Sequence, residues 1–104
     1  AIGLSSGLDY PPGSFADTGE LAELTAEAAR HGGFYHTHVR YPLGDRYLDP
    51  FREAIEIGRR GECSIEIYHL KASGETSWHL MPRAMEMIDE ARASGVDITA
   101  DMYP

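Results

Sequence analysis

Cysteine is almost missing from this sequence, with Cys63 as its single representative. A lone thiol cannot close an intramolecular disulfide, so nothing indicates an oxidising compartment and the cytoplasm is the expected location. Basic residues are also scarce: nine Lys and Arg stand against 17 Asp and Glu, for a net charge of -8. Such a surface repels phosphate backbones and has no basic stripe to offset the repulsion, which argues against a nucleic-acid partner. Long apolar runs are absent as well. Nothing approaches the roughly 18 consecutive apolar residues of a membrane span, and the apolar start "AIGLSSGL" has no positively charged region before it. The missing initiator Met and the bare finish "DMYP" suggest a piece of a longer chain.

What is present is ordinary globular material, 104 residues at 42% hydrophobic and 25% charged, the size of one compact unit. Its organisation is a repeat of strand and helix. "GFYHTHVR", "SIEIYHLK" and "DITADMYP" are short and partly β-branched or aromatic, and each follows a helix-like stretch that stops at glycine. "AIGLSSGL" fits a fourth strand at the start, giving the order β-α-β-α-β-α-β and a parallel sheet.

The helices carry their own punctuation. Asp17 and Glu20 form a capping-box-like start, Leu21, Leu24 and Ala28 an apolar stripe, and Gly32-Gly33 a stop. A second helix opens at Asp49-Pro50, runs through Ala54, Ile55 and Gly58, and stops near Gly61. The third begins near Pro82, carries Met85, Ile88 and Ala91 on one face, and ends at Gly95.

Aligning the strand ends gives a register of Gly7, His38, His69 and Asp101, at intervals of 31, 31 and 32 residues. Polar, ligand-type residues at the carboxyl ends of successive parallel strands are how an α/β barrel or a doubly wound sheet builds a site. Side chains two apart share a strand face, so Arg40 goes with His38, Lys71 with His69 and Tyr103 with Asp101.

His38 and His69 could meet around one divalent ion, or each could be a hydrogen-bonded polar residue at a barrel mouth. Two histidines are too few for a zinc site, which takes three protein ligands and an open position. His36 shares a face with His38 and could be a ligand or a packing residue. Cys63 lies at the other end of its strand, about 20 Å from His69 at ~3.3 Å per residue, and reads as a small buried thiol. Arg40 and Lys71 could hold a substrate carboxylate or be ordinary exposed, salt-bridged cations, a reading that competes for Arg40 in particular. His31 suits a helix C-terminus, and His79 falls in a loop.

The motifs "GLSSGLDYPPGSFA", "YHTHVR", "HLKASG" and "DITADMYP", in this order, resemble the N-acyl-D-amino-acid deacylase (D-aminoacylase) family of the metal-dependent amidohydrolase superfamily. The resemblance covers essentially all of the chain. It implies a TIM-like (β/α)8 barrel in which residues 1–104 form about strands four to seven, as part of a longer catalytic domain.

It further implies zinc, one or two ions in the whole protein, with His38 and His69 as ligands. Tyr10, Lys71 and Tyr103 match the positions that hold the substrate, a small N-acyl-D-amino acid. The family's own His-x-His pair, bridging cysteine and general-base aspartate would all lie outside this chain. His36 then becomes a packing residue, and no catalytic base is expected among these residues. "YPLGDRYLDP" departs from the family's acidic continuation, which leaves the substrate subtype open. A cyclic-amide hydrolase would share the histidines but not the Tyr10, Lys71 and Tyr103 trio, and a non-catalytic α/β module would hold them as structural residues. A half-barrel alone is expected to be inactive and to pair its exposed sheet edges with another copy.

Overall fold

The computed structural model describes residues 2–103. Four short strands, β1 (Gly3–Gly7), β2 (Phe34–His38), β3 (Ile65–Ile67) and β4 (Ile98–Ala100), alternate with α1 (Thr18–Arg30), α2 (Asp49–Gly61) and α3 (Met81–Ala93). The sequence-based strands reached Ala1 and Pro104, which lie outside the described residues. Short 3-10 turns at Gly13–Phe15 and Glu75–Leu80 precede α1 and α3. Neither leaves a clear periodic signal in so few residues.

Helix boundaries follow local chemistry. The Asp17 side chain accepts from the Glu20 N–H at 2.9 Å and caps α1, satisfying one of its orphan donors. Pro50 and Pro82 sit in the first turns of α2 and α3, where a missing N–H costs nothing. α2 ends at Gly61 as expected, but the left-handed position falls one residue later. Glu62 takes it, at φ +48°. Gly61 serves packing instead: a Cβ there would lie 2.8 Å from Thr25 Cγ2, so its absence lets α2 approach α1.

Two of the apolar stripes rotate relative to expectation. The buried side of α1 is Leu21, Ala22 and Thr25, while Leu24 is exposed. On α3 it is Ala84, Met87, Ile88 and Ala91, with Met85 exposed. The buried Thr25 facing Gly61 shows why in α1: contact with the neighbouring helix, rather than side-chain polarity, selects the face. On α2, Ala54, Ile55 and Gly58 are buried as expected.

The sheet is parallel in the sequential order β1-β2-β3-β4. Tyr35, Thr37, Ile65, Ile67 and Ile98 turn to one face and are buried in a common core with the helices. On the opposite face the cross-strand row Ser5, His36, Glu66 and Thr99 is polar and partly or fully exposed. A doubly wound sheet would carry helices on both faces and a reversal of strand order. Sequential order with one covered face is instead the curvature-ready segment of a (β/α) barrel.

The register departs from equal spacing at one place. Gly7 lies beside His38, but Thr37 pairs with Ile67, and Ile67 with Ala100. Extending the ladder by one residue puts Tyr68, not His69, level with His38 and Asp101. His69 thus lies beyond the strand, and strand periodicity does not place it.

Candidate functional site

At the carboxyl end of β2, His38 points into the open face as its place in the ladder dictates. His69 arrives by another route. Its backbone is left-handed, at φ +39°, a conformation that costs a non-glycine residue about 1–2 kcal/mol. The kink swings its ring inward, so that His38 Nδ1 and His69 Nε2 lie 3.1 Å apart with the rings nearly perpendicular, at 80°.

The neighbours fix the protons in this pair. Lys71 Nζ, a donor only, lies 2.7 Å from His69 Nδ1, which must therefore accept. The neutral ring then carries its proton on Nε2 and donates to His38 Nδ1, leaving the His38 proton on Nε2, 3.5 Å from Asp9 Oδ2. The assignment follows from the hydrogen-bond network. Partial desolvation, with the Lys71 charge adding to it, holds the His69 pKa below its ordinary value. That favours a neutral, ligand-competent imidazole.

Around the pair stand most of the residues anticipated from sequence. The Tyr10 ring centroid is 5.8 Å from that of His38. Tyr103 is 5.9 Å from the His69 ring, and Lys71 Nζ lies 5.8 Å from the Tyr103 centroid. A cation and two phenols therefore rim two facing imidazoles. Beside them a cavity of about 150 Å³ extends between the first turns of α2 and α3, walled by Leu48, Phe51, Leu70, Leu80 and Met81.

Arg40 does not join this group as a free cation. Its guanidinium forks onto Glu53, from Nε at 2.9 Å and Nη2 at 3.0 Å, and also donates to the carbonyls of Ser14 and Ala16 at 2.8 Å each. The hydrogen bond with Glu53, only partly offset by desolvation, raises its pKa further. Thr18 Oγ1 donates to the same carboxylate at 2.9 Å. Arg40 is a bracket that ties the segment following Tyr10 to α2, and its donors are spent on protein partners rather than a substrate carboxylate.

His36 sits one step below His38. Its ring meets the edge of Tyr68 at 4.8 Å, and its buried Nε2 has no hydrogen-bond partner among the described residues. Cys63 is buried at the opposite end of β3, its thiol donating to the Gly33 carbonyl at 3.6 Å. Burial raises its pKa, which keeps the thiol protonated and poorly nucleophilic. His31 caps α1 and pairs with Glu27, and His79 is exposed in the 3-10 turn before α3.

Two contributors escaped sequence reasoning, and a third, Asp101, was placed at its strand end without this contact. Asp9 faces His38, Tyr68 packs at a tilt against His69 with centroids 4.0 Å apart, and the Asp101 carboxylate accepts the His69 N–H. For Tyr68 the signal was the ladder register, visible once β3 is offset by one residue.

Could this set hold a metal? Two imidazole nitrogens with a carboxylate nearby are the donor types zinc accepts. Among the described residues, however, no three His, Cys, Asp or Glu side chains converge as a metal site. The residues fit part of a zinc site, with further ligands needed.

Solved structures that superpose on the chain give the class. The chain superposes over its full length on an N-acyl-D-glutamate deacylase from Bordetella bronchiseptica, complexed with zinc and a phosphonate mimic of the reaction's tetrahedral intermediate, at a TM-score of 0.93 and 33% identity. It superposes likewise on a D-aminoacylase described as defining a novel subset of amidohydrolases, at 0.90 and 34%. It covers 22% of each of those chains. The fold is thus that of the amidohydrolase barrels.

Sequence relatives carry more specific names. The chain is 36% identical over all 104 residues to the N-acyl-D-glutamate deacylase of Alcaligenes xylosoxydans xylosoxydans, and 34% identical to the D-aminoacylase of the same organism. Its homologues are the N-acyl-D-amino-acid deacylases, and it spans about a fifth of their length, 21% in both cases. No family model matches the sequence.

Proposed function

We propose that residues 1–104 are part of the catalytic barrel of a longer protein that hydrolyses the amide bond of N-acyl-D-amino acids with the help of zinc. The observation that carries this reading is the facing pair His38–His69, 3.1 Å apart, with Lys71 at 2.7 Å from the second ring. His38 and His69 would hold the metal. When bound, zinc polarises a carbonyl and lowers the pKa of water.

The chain's own residues do the rest of the positioning. Lys71 is the point charge for the substrate's free carboxylate, and leaves the His69 ring to reach it. Tyr10 and Tyr103 flank that position with phenolic hydroxyls. The partial desolvation that holds the His69 pKa low keeps its ring neutral for the metal. The general base would come from residues outside this chain, so residues 1–104 alone would show no deacylase activity.

Two further properties belong to this reading. The uncovered edges of β1 and β4 would pair with a second copy when the segment is isolated, and light scattering would show an oligomer. With one buried thiol and no disulfide partner, the protein would reside in the cytoplasm, where fractionation should find it.

The test uses the full-length protein on matched N-acetyl D- and L-amino acids, with and without a zinc chelator. D-selective hydrolysis lost on chelation is the expected result. Lys71→Ala should raise KM by about 10–100-fold, the worth of a charge-assisted hydrogen bond, while bound zinc stays unchanged. Equal rates on both enantiomers, or hydrolysis of cyclic amides alone, would sink the assignment.

A further inference from the structure

His69 reaches the site only because its backbone is held in the left-handed region, and the structure shows what holds it. Extended backbone continuing from Ile67 would send Tyr68 into the open face and turn His69 toward the helices. A left-handed residue at this position needs partners that over-determine it.

One residue supplies three of them. The Asp101 carboxylate accepts the His69 N–H, the Asp101 carbonyl accepts the Leu70 N–H at 2.7 Å, and the Asp101 N–H donates to the Ile67 carbonyl at 3.1 Å. The peptide groups on both sides of the kink are thus pinned to a single point on the neighbouring strand end. Asp101 touches neither imidazole by hydrogen bond, and no metal-competent cluster forms around it among the described residues.

We propose that Asp101 is a positioning residue: its side-chain acceptor, rather than its charge, locks the His69 backbone and so aims the imidazole at His38. The proposal rests on reading the two histidines as the metal-holding pair. The main-chain bonds from Asp101 survive any substitution, so the carboxylate is the part that a mutation can remove. Without it the His69 N–H is left unpaired, and the backbone gains freedom to return to the extended region, which carries the ring away from His38.

The variants separate acceptor from charge. Asp101→Asn keeps an amide oxygen at the same reach. Asp101→Ala removes the acceptor, and Asp101→Glu keeps the charge but moves it one methylene further out. In the full-length protein, zinc affinity by chelator competition should fall about 10–100-fold in the Ala and Glu variants, the usual scale for groups that orient a ligand. It should stay within about threefold of wild type in the Asn variant.

Unchanged affinity in Asp101→Ala would overturn the proposal, as would an equal loss in Asp101→Asn. If the Ala variant does not fold, the Glu and Asn pair carries the same contrast. Wild type with no zinc affinity would instead overturn the metal reading. The positioning role then stands or falls on the His69 amide proton, which should be protected from exchange in wild type and Asp101→Asn and lose that protection in Asp101→Glu.

Discussion

The ends of β2 and β3 each deliver a histidine to the same point, by different means. At β2 the ladder does the work: Gly7 pairs with His38, the alternation persists to the last residue, and the side chain faces inward by parity. At β3 the ladder stops at Ile67, and His69 is delivered by a left-handed residue pinned from β4. A strand-placed residue inherits the stability of the sheet, whereas a kink-placed one depends on a few local bonds. Disturbance should therefore reach His69 more readily than His38.

Truncating the last residue of β3 is the strongest way to break this contrast. Ile67 is fully buried, and Ile67→Ala should cost about 2–5 kcal/mol in a denaturant melt of the protein. The residues after it should exchange amide protons faster than those around His38. Equal loosening at both ends would show that the two are one cooperative unit. At β2 the corresponding lever is Arg40→Lys. A lysine keeps the charge but not the fork onto Glu53 and the two carbonyls, so a loss of about 1–3 kcal/mol is expected, with residues 10–16 exchanging faster and His69 unaffected. Smaller again is Thr37→Val. Thr37 is buried, with its hydroxyl 3.1 Å from Ser6 Oγ, but Ser6 keeps a 2.6 Å bond to the Tyr35 hydroxyl. The loss of about 1 kcal/mol or less should leave the pairing of β1 with β2 intact.

The same contrast explains what was legible in the sequence. Strand and helix order, the helix starts at Asp17 and Pro50, and the inward direction of His38 all follow from local propensity and periodicity, which a sequence displays. The kink at His69 does not. No glycine marks it, and its cause is a carboxylate 32 residues away. Equal spacing suggested that His69 was level with His38, which misaligns β3 by one residue. The rings meet nevertheless, because the left-handed turn compensates for the offset. Arg40 took the other of its two readings, the salt-bridged cation. Its parity with His38 was sound only while the chain stayed extended, and Glu53, one helical segment away, offered a better partner than the mouth. Lys71 and Tyr103 stand beside His69 from beyond their strands, where the alternation argument used for them does not apply.

Asp49 gives the mildest probe of the β2 side, through pH. It opens α2, in the first turn where a negative charge is favoured, and Arg52 and Arg46 bond its carboxylate. Arg52 first and then Arg46 hold its pKa below the usual carboxylate range. Because the folded value is the depressed one, the stabilising share is complete above the carboxylate pKa of the unfolded chain. It disappears as pH falls through the lower, folded value. Asp49→Asn should therefore lower the urea midpoint slightly at pH 7, and the two proteins should converge in acid. Salt should shrink the neutral-pH gap, since all three side chains are within reach of solvent. A gap that widens toward acid would mean that Asp49 is stabilised by being protonated, which is incompatible with the two arginines that bind it.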